Sequence, residues 1–263
     1  MQNFDICVIS LPDQHVRREK IRKIFSPHAA DWSFVDAIAG KDLSPSHPAW
    51  AHYHQSKRVG MVGYDMRPNE IACFLSHQKA WQRCVDNQTP TLILEDDIKI
   101  KEKLDFEEFI ATTNQACTFL NKNFIIRLGN THYKTKNTIL KKISDSFSLA
   151  RYQEDPQSAF AYLISPQTAA KLLRHSEKFF TPVDNFMWRG WEHSCHVLDI
   201  VPDLVYTSEE DNPSNIGDRS KPKVSLVKKI RREILRPILN RGKKFYELTA
   251  LKKIQSSIKV QDD

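Results

Sequence analysis

The stretch Leu92-Ile93-Leu94-Glu95-Asp96-Asp97 decides the fold class, because an apolar segment with strand character ends there in three consecutive carboxylates. Alternate side chains of a strand share a face, so Glu95 and Asp97 are predicted to point the same way and Asp96 elsewhere. Adjacent like charges repel, and divalent Mg²⁺ or Mn²⁺ prefers carboxylate oxygens. The stretch therefore indicates a metal held by Glu95 and Asp97, of the kind that binds a nucleotide diphosphate. A solvated acidic turn is the alternative.

The residues before this stretch predict the opening of a parallel α/β sheet. Residues 5–11 have the pattern of a buried strand, 16–25 place apolar residues at helical spacing, and 33–38 return to strand character. Such a strand, helix and strand are joined by a right-handed crossover. The polar and aromatic segment 40–67 is predicted to be a loop region at the site, and a helix is predicted from Pro68.

The residues after the acidic triplet predict further helices and strands. Helices are expected over 103–120 and after Ser165-Pro166, where serine caps the helix and proline occupies its first position. Residues 182–196 are expected to mix loop and helix. Strands are predicted over 124–128, 147–152, 159–164 and 197–205. The strands at 147–152 and 159–164 are expected to form a pair.

The composition is that of a soluble globular protein with a sizeable core: of 263 residues, 40% are hydrophobic and 27% charged. The five cysteines are widely spaced without a CxxC pair, which favours neither zinc nor a disulfide framework and predicts a reducing compartment. No apolar stretch approaches the ~20 residues that span a bilayer. The first residues lack the pattern of a signal peptide. A cytoplasmic location is expected.

The charge is unevenly distributed. Residues 220–263 hold 13 Lys and Arg against 4 Asp and Glu, whereas the other 219 residues carry a net charge of −2. This asymmetry argues against a core that binds nucleic acid. We predict a domain over 1–219 and a basic helical tail over 220–263, amphipathic at 226–239. Such a tail is typical of binding to an anionic membrane surface, and a helix packed on the domain is the alternative.

Seven ordered segments together resemble the family 25 glycosyltransferases of bacterial lipooligosaccharide synthesis, whose relatives include collagen galactosyltransferase domains. The most specific is the helix sequence EIACFLSH followed by LEDD. The resemblance covers residues 3–219. The segments are VISL at 8–11 with Arg17-Arg18, FVDA at 34–37, EIACFLSH at 70–77, LEDD at 94–97, AYLIS at 161–165, PVD at 182–184 and SNIGDR at 214–219.

The resemblance implies a GT-A-type, Rossmann-like fold that binds a nucleotide sugar. It also implies inverting transfer of a hexose, galactose or glucose, from a UDP-sugar to a hydroxyl of a lipid-anchored glycan. With the basic tail, this predicts an enzyme on the cytoplasmic face of the inner membrane. The alternatives are another metal-dependent nucleotidyl- or phosphotransferase, and a non-catalytic membrane-binding protein. The sequence has no GxxxxGK[ST] loop, which disfavours a P-loop enzyme.

Several polar residues are predicted to bind the donor. The family's first strand ends in Asn-Leu, so Ser10 stands where that Asn contacts the donor, and Asp36 follows the second strand near the nucleotide. Asp96 would bond the ribose or hold its own loop. Arg17 and Arg219 suit the diphosphate, because guanidinium binds such oxygens bidentately; exposed arginines or a surface ion pair are the alternatives.

The helix before the acidic strand carries Glu70, Ser76 and His77, which are predicted to lie near the donor. His77 falls off the apolar stripe, and a hydrogen-bonded histidine that supports the site is the alternative to a ligand. Inversion requires one base opposite the leaving group. Asp184 is the predicted base, with Glu192 in reserve, and an N-cap is the alternative role of Asp184.

Overall fold

A computed structural model describes residues 2–28, 30–44, 46–131, 135–207, 233 and 241–259. The strands are β1 Asp5–Ser10, β2 Trp32–Asp36, β3 Thr91–Glu95, β4 Ile98–Ile100, β5 Phe124–Arg127, β6 Asn137–Lys142, β7 Ser148–Tyr152, β8 Ala161–Ile164, β9 His196–Val201 and β10 Val205–Thr207. The helices are α1 His15–Phe25, α2 Gln55–Val62, α3 Pro68–Asn87, α4 Phe106–Cys117, α5 Pro166–His175, α6 Val183–Trp188, α7 Gly190–His193 and α8 Arg241–Lys259.

Eight of these strands form one sheet with the order β2-β1-β3-β8-β5-β9-β7-β6, and β4 pairs with β10. β1 is parallel to both β2 and β3, β5 is parallel to β9, and the other neighbours are antiparallel. The predicted α/β class and its β1-α1-β2 opening are confirmed. The sheet is mixed, as is consistent with a Rossmann-like glycosyltransferase fold.

Three local predictions were wrong. The strands β7 and β8 do not pair with each other. β8 is buried along its whole length and lies centrally between β3 and β5, whereas β7 joins the half-exposed β6. The segment 197–205 divides into β9 and β10. The segment 40–67 is not all loop, because it contains α2.

Helices cover both faces of the sheet, because successive residues of a strand point to opposite sides. On one face Cys7 and Ile93 pack in a core with α3 residues such as Phe74 and Trp81. On the other face the core includes Ile6, Val8 and Leu92 together with residues of α1, α4 and α8. The result is a three-layer α/β/α arrangement that holds α3 against the carboxyl ends of β1 and β3.

The helix α8 belongs to the second core. Its Ala250, Ile254 and Ile258 are buried there, and Tyr246 approaches Gly190 so closely that a Cβ on that glycine would lie 2.0 Å from the Tyr246 hydroxyl. The amphipathic segment 226–239 lies outside the described residues except for Glu233, so the boundary at 219/220 and the basic tail stay predictions. No helix that the structure describes is both long and apolar enough to cross a bilayer.

Candidate active site

The parallel strands β1, β2 and β3 end at the same edge of the sheet, and this edge brings the predicted polar residues together. In the register of the sheet, Ser10 lies opposite Asp36, and Ile9 lies opposite Glu95. A cavity of about 400 Å³ opens there. Its lining includes the end of β1, the start of α1, the segment after β2, one face of α3 and the three carboxylates of the acidic turn.

Asp96 is held by the β1–α1 segment. Its Oδ2 accepts a hydrogen bond of 2.7 Å from Ser10 Oγ, and its Oδ1 lies 3.0 Å from Arg17 Nη1. Arg18 Nη2 donates to the Ser10 carbonyl at 2.8 Å and lies 2.5 Å from Asp36 Oδ1. The structure therefore places Ser10, Arg17 and Asp96 on the cavity wall, whereas the Asp36 side chain is mostly exposed beside it.

Glu95 and Asp97 line both this first cavity and a second cavity. Asp97 is half-buried, and Arg17 Nη1 lies 3.9 Å from its Oδ2. Burial raises the pKa of Asp97 to about 7, and the negative charge of Glu95 adds to the effect, while Arg17 opposes it. The acidic turn thus concentrates more negative charge than Arg17 compensates, which is the environment that a divalent cation stabilises.

A directed chain of hydrogen bonds holds Glu95. Trp81 Nε1 donates to the Tyr162 hydroxyl at 2.8 Å, and that hydroxyl lies 2.8 Å from His77 Nδ1. An indole N–H can only donate, so the Tyr162 hydroxyl accepts from Trp81 and needs an acceptor for its own proton. His77 Nδ1 is that acceptor, because a buried hydroxyl proton is normally hydrogen-bonded. His77 Nε2 then carries the proton and donates to Glu95 Oε1 at 3.3 Å.

In this chain of hydrogen bonds, His77 holds Glu95 in place and is not itself a metal ligand. With Nε2 protonated, the ring offers no lone pair to a metal, and it fixes the orientation of the Glu95 carboxylate instead. Cys73 Sγ lies within 4.8 Å of the ligand atoms of both residues. Burial and nearby carboxylates raise the pKa of the Cys73 thiol well above its usual range, so a neutral thiol lines the cavity there.

Tyr162→Phe is expected to lower the free energy of unfolding by about 1–3 kcal/mol, because it leaves the buried Trp81 N–H without an acceptor. Thermal unfolding measures this change. Tyr152→Phe is the matched control, since the Tyr152 hydroxyl forms no hydrogen bond with a described residue. Equal stability of the two variants would show that the buried chain is not formed.

Ser76 and Glu70 support the backbone around the cavities. Ser76 Oγ donates to the Ala72 carbonyl at 2.7 Å and accepts from the Ile38 backbone N–H at 2.9 Å, which holds the segment after β2 on α3. Glu70 accepts from the Arg67 N–H at 2.7 Å at the start of α3, and it lines the second cavity.

The second cavity, of about 640 Å³, contains the predicted base. It is lined by the side of the acidic turn that carries Glu95 and Asp97, and by Asp184 at the start of α6. Asp184 is not the N-cap, because α6 begins at Val183 with Pro182 before it. Its Oδ1 accepts from the Asn185 N–H at 2.7 Å. Burial raises the pKa of Asp184 to about 6, so this carboxylate is a stronger base than an exposed aspartate.

Two predicted residues remain, Glu192 and Arg219. Glu192 forms a bidentate ion pair with Arg189, at 2.7 and 2.8 Å, and lines neither cavity. Arg219 lies outside the described residues. Tyr162 belongs to the AYLIS segment but was not assigned a role in the site from the sequence. The signal that could have indicated one is a tyrosine within a strand that is otherwise apolar.

Comparisons with known proteins identify the family of this chain. The model of glycosyltransferase family 25 (LPS biosynthesis protein) matches residues 3–187. The lipooligosaccharide biosynthesis protein lic2B of Haemophilus influenzae is 29% identical over 174 residues, which cover 64% of this chain and 62% of that protein. A glycosyltransferase 25 family member of Drosophila melanogaster is 29% identical over 196 residues, and one of Aedes aegypti is 30% identical over 195.

Each of the two insect matches covers 69% of this chain but only 30% of the insect protein. The chain therefore spans under a third of the insect relatives and under two thirds of the Haemophilus one. The family match includes both cavities' acidic residues and ends just after Asp184. Since it covers well over half of the sequence, the chain belongs to glycosyltransferase family 25.

Proposed function

We propose that this chain is an inverting, metal-dependent glycosyltransferase of GT-A type. It would transfer a hexose, galactose or glucose, from a UDP-sugar to a hydroxyl of a lipooligosaccharide-type glycan. The observation that carries the proposal is the pair of cavities that meet at Glu95 and Asp97. One cavity lies at the carboxyl ends of the parallel strands, where nucleotides bind in open α/β sheets, and the other contains a carboxylate suited to be a base.

The donor is assigned to the first cavity. The Glu95 and Asp97 carboxylates fit Mn²⁺ or Mg²⁺, because these cations prefer carboxylate oxygens. Burial, and after it the charge of Glu95, raises the pKa of Asp97, so a cation at this position would stabilise the ionised carboxylate. When bound, such a cation neutralises the growing charge of the leaving diphosphate. Arg17 adds a guanidinium from the cavity wall, Ser10 holds Asp96 in place, and His77 orients Glu95.

The acceptor is assigned to the second cavity. A sugar hydroxyl is a weak nucleophile and loses its proton as it attacks the anomeric carbon. Asp184 lines this cavity together with Glu95 and Asp97. A carboxylate with a pKa of about 6 is ionised at neutral pH and takes that proton. The hydroxyl would then attack from the side opposite the diphosphate, which inverts the anomeric configuration.

A turnover screen tests this proposal. The protein is incubated with Mn²⁺, a panel of sugar nucleotides and a truncated lipooligosaccharide glycan, and the released nucleotide and the product linkage are measured. Transfer from one UDP-sugar, lost in EDTA and giving the inverted anomer, is expected. Transfer with retained configuration, or transfer that is unaffected by EDTA, would contradict the mechanism. Binding of UDP in the presence of Mn²⁺ separates a wrong donor from a missing acceptor.

We also propose that α8 binds an anionic membrane surface at the cytoplasmic face of the inner membrane. Phe245 and Leu248 are 68% and 78% exposed, one turn apart on this helix, and exposed Lys244 and Lys252 flank them. Apolar side chains between lysines are the features that interfacial helices use. This position would hold the enzyme next to a lipid-anchored glycan.

The double substitution Phe245→Ser and Leu248→Ser is expected to weaken binding to phosphatidylglycerol vesicles at least tenfold, since each side chain contributes about 1.5–3 kcal/mol when fully buried. Co-sedimentation with vesicles measures the change. Val16→Ser is the control, because Val16 is 73% exposed on α1. Unchanged sedimentation of the double variant would remove α8 from the membrane-binding surface.

A further inference from the structure

We propose that the acceptor cavity recognises an anionic group, a phosphate or carboxylate, on the acceptor glycan through Arg58. The inference rests on the proposed function, because it assigns the second cavity to the acceptor. Arg58 lies on α2 and is only 6% exposed, yet it lines that cavity. It is the one buried residue of α2, so the helix directs a cation inward where an apolar side chain is the usual occupant.

The Arg58 guanidinium is not neutralised by the part of the protein that the structure describes. Its Nε is buried without a hydrogen-bond partner. Its observed contact is with the face of the Tyr64 ring, 5.1 Å from the guanidinium carbon to the ring centroid. Neither an ion pair nor a side-chain hydrogen bond joins Arg58 to another described residue.

The other buried arginines among the described residues have hydrogen-bond or ion-pair partners within the protein. Arg127 forms a bidentate pair with Asp199 at 2.7 and 3.2 Å and contacts Asp155 at 3.3 Å. Arg151 donates to the Val197 carbonyl at 2.7 Å. Burying a cation costs free energy unless it is paired, so Arg58 is expected to gain its partner from a ligand.

The nearest acid along the chain does not serve this purpose. The carboxylate of Asp65 accepts hydrogen bonds from the Tyr53 hydroxyl, the Gln55 amide and the Met66 N–H. It therefore has its own donors and forms no ion pair with Arg58. Asp65 and Tyr64 line the cavity on the same segment as Arg58, which makes this wall a polar surface with an uncompensated guanidinium.

The rest of the cavity determines how such an acceptor would be oriented. Glu95 at the end of β3, Asp97 in the turn after it and Asp184 in the first turn of α6 also line this cavity. An anionic substituent would be repelled by these carboxylates and attracted by Arg58. A neutral hydroxyl would then face Asp184 while the charged end of the acceptor contacts α2. A cavity of about 640 Å³ is large enough for a ligand of several rings.

Binding of simple sugars to the full chain tests the proposal. Glucose, glucose 6-phosphate and glucuronate are titrated by calorimetry in EDTA, so that no divalent cation holds an anion at the acidic turn. At least one acidic sugar is expected to bind tenfold or more tightly than glucose, and comparison of the two identifies phosphate or carboxylate as the recognised group. Arg58→Met should abolish the preference, whereas Lys57→Met, which removes an exposed charge one residue away, should retain it.

Thermal unfolding of the free proteins provides a second readout. If Arg58 is unpaired without ligand, Arg58→Met keeps the length of the side chain, removes a buried charge and should unfold at the same or a higher temperature than wild type. Equal binding of neutral and acidic sugars, including no detectable binding of either acid, would overturn the proposal. A lower unfolding temperature of Arg58→Met would overturn its premise. Because donor is absent, failed transfer in the turnover screen leaves both results standing.

Discussion

Asp97→Asn is expected to lower turnover on the order of 10³-fold, because the amide replaces one of the two anionic ligands that we assign to the divalent cation. A metal at a leaving diphosphate stabilises the transition state by several kcal/mol, and each factor of ten in rate corresponds to about 1.4 kcal/mol. The substitution preserves the shape of the side chain, so a loss of turnover would result from the loss of its negative charge. Initial rates at saturating donor and Mn²⁺, in wild type and variant, measure it.

The same substitution is expected to stabilise the metal-free protein. The pKa of Asp97 is about 7 in the folded protein, above its ordinary value of 3.8, so the folded state binds this proton more tightly than the unfolded state. The stability that results is complete at acidic pH below the unfolded pKa and is lost as the pH rises through 7. The variant has no such carboxyl, and at pH 8 in EDTA it should unfold at a higher temperature than wild type.

Addition of Mn²⁺ completes the test. A ligand that binds only the folded state raises the unfolding temperature, so Mn²⁺ should stabilise wild type and leave Asp97→Asn nearly unchanged. Asp145→Asn is the matched control, since Asp145 is fully exposed between β6 and β7. Equal stabilisation of the two variants by Mn²⁺ would contradict the assignment of Asp97 as a ligand, whatever their turnover.

The local part of this site could be predicted from the sequence. β1, β3 and α3 follow from short apolar patterns, and parallel strands bring their carboxyl ends to one edge. For that reason the carboxylates of the acidic turn, Ser10 and Arg17 could be assigned to one place without coordinates. Glu95 and Asp97 were expected to share a face, and both line the two cavities.

The remaining features depend on contacts that a local pattern does not contain. β8 enters between β3 and β5, and only this position brings Tyr162 to His77 and Trp81, which are about 80 residues away in the chain. The role of Arg58 was missed for a similar reason. The segment 40–67 was expected to be loop, although Arg58 lies on α2 within it. Whether the face of α2 that carries Arg58 meets solvent or a cavity depends on the strands and loops packed around it.

Asp184→Asn is expected to lower kcat/KM about 10²–10⁴-fold, which is the usual contribution of a general base. Burial raises the pKa of Asp184 to about 6, with further effects from nearby carboxylates such as Asp155. The base acts only when ionised, so wild-type kcat/KM should rise tenfold per pH unit below about 6 and level off above it. The variant should lose that dependence, because its amide does not titrate.

Glu192→Gln separates this assignment from the reserve base. Burial acts to raise the pKa of Glu192, but the ion pair with Arg189 outweighs this effect and lowers the pKa below its ordinary value of 4.5. A mechanism based on Glu192 would therefore keep kcat/KM constant down to a pH below 4.5. Glu192→Gln should therefore leave the limb near pH 6 in place and change turnover little. The assignment would be contradicted if Glu192→Gln abolished turnover while Asp184→Asn retained both the rate and its pH dependence. The proton would then be taken outside the second cavity, and the acceptor would have to approach from the side of Arg189.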